Sequence, residues 1–65
     1  MEKIVLTPNE AAELIRISPN DIYSLITSGD IPAYREGRNW KIPRTLLVKY
    51  VEERALREAE ERRKS

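Results

Sequence analysis

Sixty-five residues make one small domain, near the lower size limit for a chain that folds alone, and 40% apolar residues suffice for a single thin core. The chain has no Cys and no His, which excludes disulfide staples, zinc-finger ligation and His-based catalysis. A formal net charge of +1 selects no partner by itself, and no apolar run approaches the ~18 residues of a membrane span.

Charge is unevenly distributed. Residues 1–34 carry Lys3 and Arg16 against Glu2, Glu10, Glu13, Asp21 and Asp30, a balance of −3. Residues 35–44 carry Arg35, Arg38, Lys41 and Arg44 against Glu36, a balance of +3. Residues 45–65 hold six basic and five acidic groups. A polyanion would feel the ten-residue basic stretch most.

In chain order, Thr7-Pro8-Asn9-Glu10 predicts a helix start: Thr7 caps, Pro8 suits the first helical position, and Glu10 completes a capping box. Ala11, Leu14 and Ile15 are its expected inward face. Ser18-Pro19-Asn20-Asp21 repeats the signal, with Asp21 in the Glu position, and the second helix continues to a stop at Gly29. Its apolar stripe is Ile22, Leu25 and Ile26. Only Arg16 and Ile17 remain to join the two helices, the short turn that a helix-turn-helix requires.

Residues 31–43 read as a basic β-hairpin bracketed by two Ile-Pro pairs. A two-residue turn at Glu36-Gly37 would pair Arg35 with Arg38, Ala33 with Trp40 and Ile31 with Ile42. Ile31, Ala33, Trp40 and Ile42 would then share one face, and Tyr34, Asn39 and Lys41 the other. Pro43-Arg44-Thr45 introduces a last helix with Leu46, Leu47, Tyr50 and Val51 as its inward stripe. After Glu52 the chain is almost wholly charged. Glu53 with Arg57, Glu58 with Arg62 and Glu60 with Lys64 stand at the favourable i,i+4 spacing of a solvated helix that frays toward Ser65.

The ordered set Leu6-Thr7, Glu10-Ala11-Ala12-Glu13-Leu14, Ile17-Ser18, Ile22-Tyr23, Leu25-Ile26, Ser28-Gly29-Asp30-Ile31-Pro32-Ala33, Gly37-Arg38 and Trp40-Lys41-Ile42-Pro43-Arg44 resembles the excisionase-like helix-turn-helix proteins, relatives of the MerR-type DNA-binding domain. The resemblance spans Val5 to Val51. It implies a mainly α winged helix-turn-helix with a small β-hairpin wing, whose second helix enters the major groove while the wing lies on phosphates or in the minor groove. Two departures stand out. Arg16 occupies a position where the family usually has Gly, and Pro19-Asn20-Asp21 replaces the basic residue the family commonly places after the cap Ser18.

On this basis residues 4–52 form the winged domain and 53–65 a charged helical extension. The expected DNA contacts from the second helix are Asn20, Ser24 and Thr27, with Tyr23 secondary; Asn reads adenine edges and hydroxyls suit several edges or phosphates. Asp21 more simply completes the helix start. From the wing, Arg35, Arg38, Asn39 and Lys41 are expected as a compact cationic tip, with Arg44 beside it. Arg38 is favoured for phosphates or a narrow minor groove, and Trp40 for the core. No catalytic residue, metal or cofactor is expected. The partner is double-stranded DNA bound by a monomer through about four to six phosphate contacts, with an integrase or further copies on tandem sites adding specificity. The setting is soluble and cytoplasmic, with no membrane association. The rival is a winged-helix protein-interaction module with little DNA affinity.

Overall fold

A computed structural model describes residues 4–64; Glu2, Lys3 and Ser65, which enter the charge balance and the helix end above, lie outside that range. Strand β1 (Val5–Leu6) leads into helix α1 (Pro8–Ile15) and helix α2 (Pro19–Thr27); the hairpin strands β2 (Tyr34–Glu36) and β3 (Asn39–Pro43) follow, then helix α3 (Arg44–Lys64). This is the mainly helical winged helix-turn-helix that the sequence pattern predicts, with one addition. β1 pairs with β3, Leu6 opposite Ile42, so the wing is a three-stranded antiparallel sheet in the order β1-β3-β2. The apolar Ile4-Val5-Leu6 run was the signal for β1.

The helix starts form as their residue types dictate. The Thr7 hydroxyl accepts from the Glu10 N–H at 3.1 Å, and the Glu10 carboxylate accepts from the Thr7 N–H at 3.0 Å. Ser18 caps α2 by accepting from the Asp21 N–H at 3.2 Å. Asp21 supplies only that backbone half of the box, because its side chain is a methylene shorter than Glu.

Both helices of the pair end in the same turn. At α2, Gly29 (φ 86°) donates to the Ile26 carbonyl and Asp30 to that of Leu25. At α1, Arg16 donates to the Glu13 carbonyl and Ile17 to that of Ala12. This double bond pattern needs a left-handed residue. In α1 that residue is Arg16, at φ 62° and ψ 48°.

The core is Leu6, Ala11, Ala12, Ile22, Ile26, Ile31, Ile42 and Leu47, with Ile15, Ile17, Leu25, Ala33, Trp40 and Tyr50 packed around it. α1 turns Pro8, Ala11, Ala12 and Ile15 inward rather than Ala11, Leu14 and Ile15. These four follow the i, i+3, i+4, i+7 spacing of one face, and the small alanines let α1 approach its neighbours closely. Leu14 lies off that face and is 51% exposed. Of the expected α3 stripe only Leu47 is buried; Tyr50 is half-buried, and Leu46 and Val51 are exposed. Leu14 and Ile15 of α1 stand beside Tyr50, Val51 and Arg54 across an open groove, so the outer part of the stripe stays uncovered.

The hairpin register also differs from expectation. Glu36 pairs with Asn39, Arg35 with Trp40 and Tyr34 with Lys41, so the turn is Gly37-Arg38 rather than Glu36-Gly37. Gly37 has φ 66°, and Arg38 is not in the positive-φ region. Positive φ at the first central residue alone is the II′ arrangement, which matches strand twist and calls for Gly in that place. A Glu36-Gly37 turn would have needed positive φ at Glu36 or a turn type that splays the strands. The register moves by two residues, so each side chain keeps its face: Ile31, Ala33, Trp40 and Ile42 still pack together, and Tyr34 and Asn39 are exposed.

α3 carries 21 residues, roughly 31 Å of helix. The radius of gyration is 12.8 Å, against about 11 Å for a compact chain of this length, because the end of α3 projects from the body. Its ion pairs include Arg54–Glu58 at 2.9 Å and Glu60–Arg63 at 2.7 Å. Glu60 therefore engages Arg63 rather than the expected Lys64.

Candidate nucleic-acid interface

The core stripe of α2 dictates what the helix presents outward. Asn20, Ser24 and Thr27 stand at i, i+4 and i+7, about opposite Ile22 and Ile26 around the helix, and all three are exposed. Tyr23 flanks this stripe and is 45% exposed. The Thr27 hydroxyl donates to the carbonyls of Tyr23 at 2.9 Å and Ser24 at 3.1 Å. Its proton is thereby occupied, and Thr27 offers a partner its oxygen as acceptor and its methyl. Asn20 and Ser24 keep their side chains without a protein partner among the described residues. No basic side chain stands on α2.

Positive charge comes from the wing. Thr7, Pro8 and Asn9 at the start of α1, Tyr23 of α2, and Arg38, Asn39, Trp40 and Lys41 of the wing line a cleft of about 310 Å³. It thus gathers four of the nine expected contact residues, Tyr23, Arg38, Asn39 and Lys41, from two elements distant in sequence. Asn9 is a polar lining residue that sequence reasoning missed. The signal was available, since Asn9 stands between Pro8, which has no N–H, and Glu10, whose N–H goes to the Thr7 cap, so its own N–H is the one left open in the first turn.

The remaining basic residues fall elsewhere, so the cationic tip is less compact than expected. The Arg35 guanidinium lies over the Trp40 ring, 5.4 Å from its centroid, outside the cleft. Arg44 is half-buried at the start of α3, and its backbone N–H donates to the Ile4 carbonyl at 2.8 Å. The whole of β3 separates it from Arg38, roughly 20 Å for an extended strand. Among the described residues no group of three or more metal-ligating side chains assembles, and no helix is long and apolar enough to cross a membrane.

Two helices joined by a left-handed turn, a polar outward stripe on the second, and a basic hairpin beside it define the helix-turn-helix class. The chain belongs to a helix-turn-helix domain family, whose profile matches residues 5–55. It is also 38% identical over 49 residues to a protein of Saccharopolyspora erythraea described as "Probable excisionase". That match covers 75% of this chain and 50% of the relative, so the chain spans about half the length of the protein it matches. No solved structure matches the chain.

Proposed function

We propose that the protein binds double-stranded DNA without catalysing a reaction, α2 entering the major groove and the wing holding the adjacent backbone or minor groove. One observation carries this reading: Tyr23, on the flank of the outward α2 stripe, and the basic side of the wing, Arg38 and Lys41, line one cleft. A groove-bound helix needs polar groups facing the bases, and Asn20, Ser24 and Thr27 supply them. The flanking phosphates need cations and N–H donors; Arg38 and Lys41 supply the first, and the Asn9 N–H, left open by Pro8 and the capping box, the second. Asn39 and the Tyr23 hydroxyl add neutral hydrogen-bonding groups beside them. Arg44, at the far end of β3, would serve a separate phosphate.

The name of the relative supports an excisionase-like role, in which a small protein shapes DNA for an integrase; a small transcriptional regulator of MerR-like type would use the same contacts. With the net-acidic segment ahead of the wing offering no basic residue on α2, affinity rests on few phosphate contacts. Binding as a monomer is accordingly weak, and tandem copies or an integrase would add specificity.

The test is fluorescence anisotropy of labelled duplex DNA across a range of salt. Each phosphate contact contributes about −0.9 to the slope of log K against log salt. Arg38→Ala should weaken binding on all sequences and make the slope shallower by about one unit. No binding of the wild type to a random-sequence duplex pool at low salt would sink the DNA reading in favour of a protein-interaction module.

A further inference from the structure

We infer that Arg35 is a positioning residue: it sets the wing through its stack on Trp40 rather than by touching DNA. The proposal rests on the DNA reading above for its consequence, and on the free protein for its geometry.

β2 is an edge strand, paired only with β3, and Tyr34, Arg35 and Glu36 are all exposed. Among the described residues the side chains of Tyr34 and Glu36 make no hydrogen bond or ion pair, so the Arg35–Trp40 stack is the one specific side-chain link from β2. Trp40 is the right receiver for it. It packs against the core and also lines the cleft, so its position is fixed from inside and felt outside.

The register explains why these two side chains meet. Glu36 and Asn39 flank a two-residue turn and exchange the backbone bonds, so the next pair, Arg35 and Trp40, is a non-hydrogen-bonded pair. In such pairs the side chains approach most closely. At 5.4 Å from the centroid the guanidinium is within the range of a cation–π contact. Arg adds planar stacking to this attraction, whereas a Lys ammonium would keep only its charge over the ring. Arg38 and Lys41 reach the cleft from the turn and from β3. Fraying of β2 would loosen the turn that carries Arg38, and the stack opposes it.

The experiment compares the wild type with Arg35→Lys, Arg35→Ala, Trp40→Leu and the Arg35→Ala/Trp40→Leu pair. In the free protein, amide exchange at Tyr34 and Glu36, whose N–H groups face β3, should quicken in Arg35→Ala by about two- to fivefold, the size of an exposed cation–π contact, and by less in Arg35→Lys, whose ammonium keeps part of the attraction. Duplex binding should weaken in the same order with an unchanged salt slope. Arg35→Ala should add nothing in the Trp40→Leu background. A direct phosphate contact predicts instead a slope shallower by about one unit in Arg35→Ala in either background. That result, or unchanged amide exchange, overturns the proposal. Should the wild type bind no DNA, the DNA reading fails separately, and the exchange measurement still decides whether the stack holds β2. Trp40→Leu serves only if it melts cooperatively; if it does not, Trp40→Phe, with a weaker ring quadrupole, replaces it and should halve or abolish the Arg35→Ala effect.

Discussion

Arg16 is the residue whose chemistry and conformation disagree most. A side chain in the left-handed region costs about 1–2 kcal/mol through its Cβ, whereas Gly adopts it freely. Gly loses more chain entropy on folding, which offsets roughly 0.5–1 kcal/mol of that advantage. Arg16→Gly should therefore stabilise the domain by about 0.5–1 kcal/mol, read as a higher midpoint in urea unfolding with an unchanged slope. Loss of stability would mean that the Arg16 side chain contributes more than its backbone strain costs. Sequence alone shows that a short turn must stand at Arg16-Ile17; the φ of 62° follows from the paired bonds that Ala12 and Glu13 accept.

At the scale of elements, α3 is held in two ways. Leu47 and Tyr50 tie its first turns to the core, and local charges support the rest. Arg54 donates to Glu58 at 2.9 Å and to the Tyr50 hydroxyl at 3.3 Å. The Arg54 hydrogen bond, followed by its charge, holds the Glu58 carboxyl below its ordinary value of 4.5 and raises Arg54 in turn. A lowered carboxyl pKa means that the contribution is complete above the ordinary value and disappears as pH falls through the lower folded one. Both side chains are exposed, so the effect on stability is small. Arg54→Gln should raise the Glu58 midpoint in an NMR carboxyl titration, and an unmoved midpoint would contradict the assignment. Sequence spacing marked this helix as charged and solvated. It did not choose Arg54 over Arg62 as the partner seen for Glu58, since both stand four residues away.

For the molecule as a whole, the question is how far the folded unit extends. The buried residues run from Leu6 to Leu47, and from Val51 to Lys64 only Ala59 is partly covered. Residues 53–65 should therefore be dispensable for folding. A chain ending at Glu52 loses the exposed Arg54 bond to Tyr50 and little else, and its urea-unfolding midpoint should fall only slightly. Methyl NMR shifts of Ile22, Ile42 and Leu47 should stay within the native envelope. Collapse of that dispersion would show that the projecting helix is part of the cooperative unit.

Every element except β1, and the class of fold, were legible in the residues themselves. Thr7-Pro8 and Ser18-Pro19 mark helix starts, Gly29 marks a stop, and alternation around Trp40 marks a two-faced hairpin, because capping and pleating are local. Asn20, Ser24 and Thr27 were legible as an outward stripe for the same reason, as the complement of Ile22 and Ile26. Tertiary structure alone decided the rest. It turned Ala12 inward and Leu14 out, because close approach of α1 favours the small side chain. It joined β1 to β3 and separated Arg35 and Arg44 from the basic cleft. Each of these depends on which distant surfaces meet, which a list of charges in order does not contain; the turn at Gly37-Arg38 is by contrast local, since a II′ turn calls for Gly at its first central place.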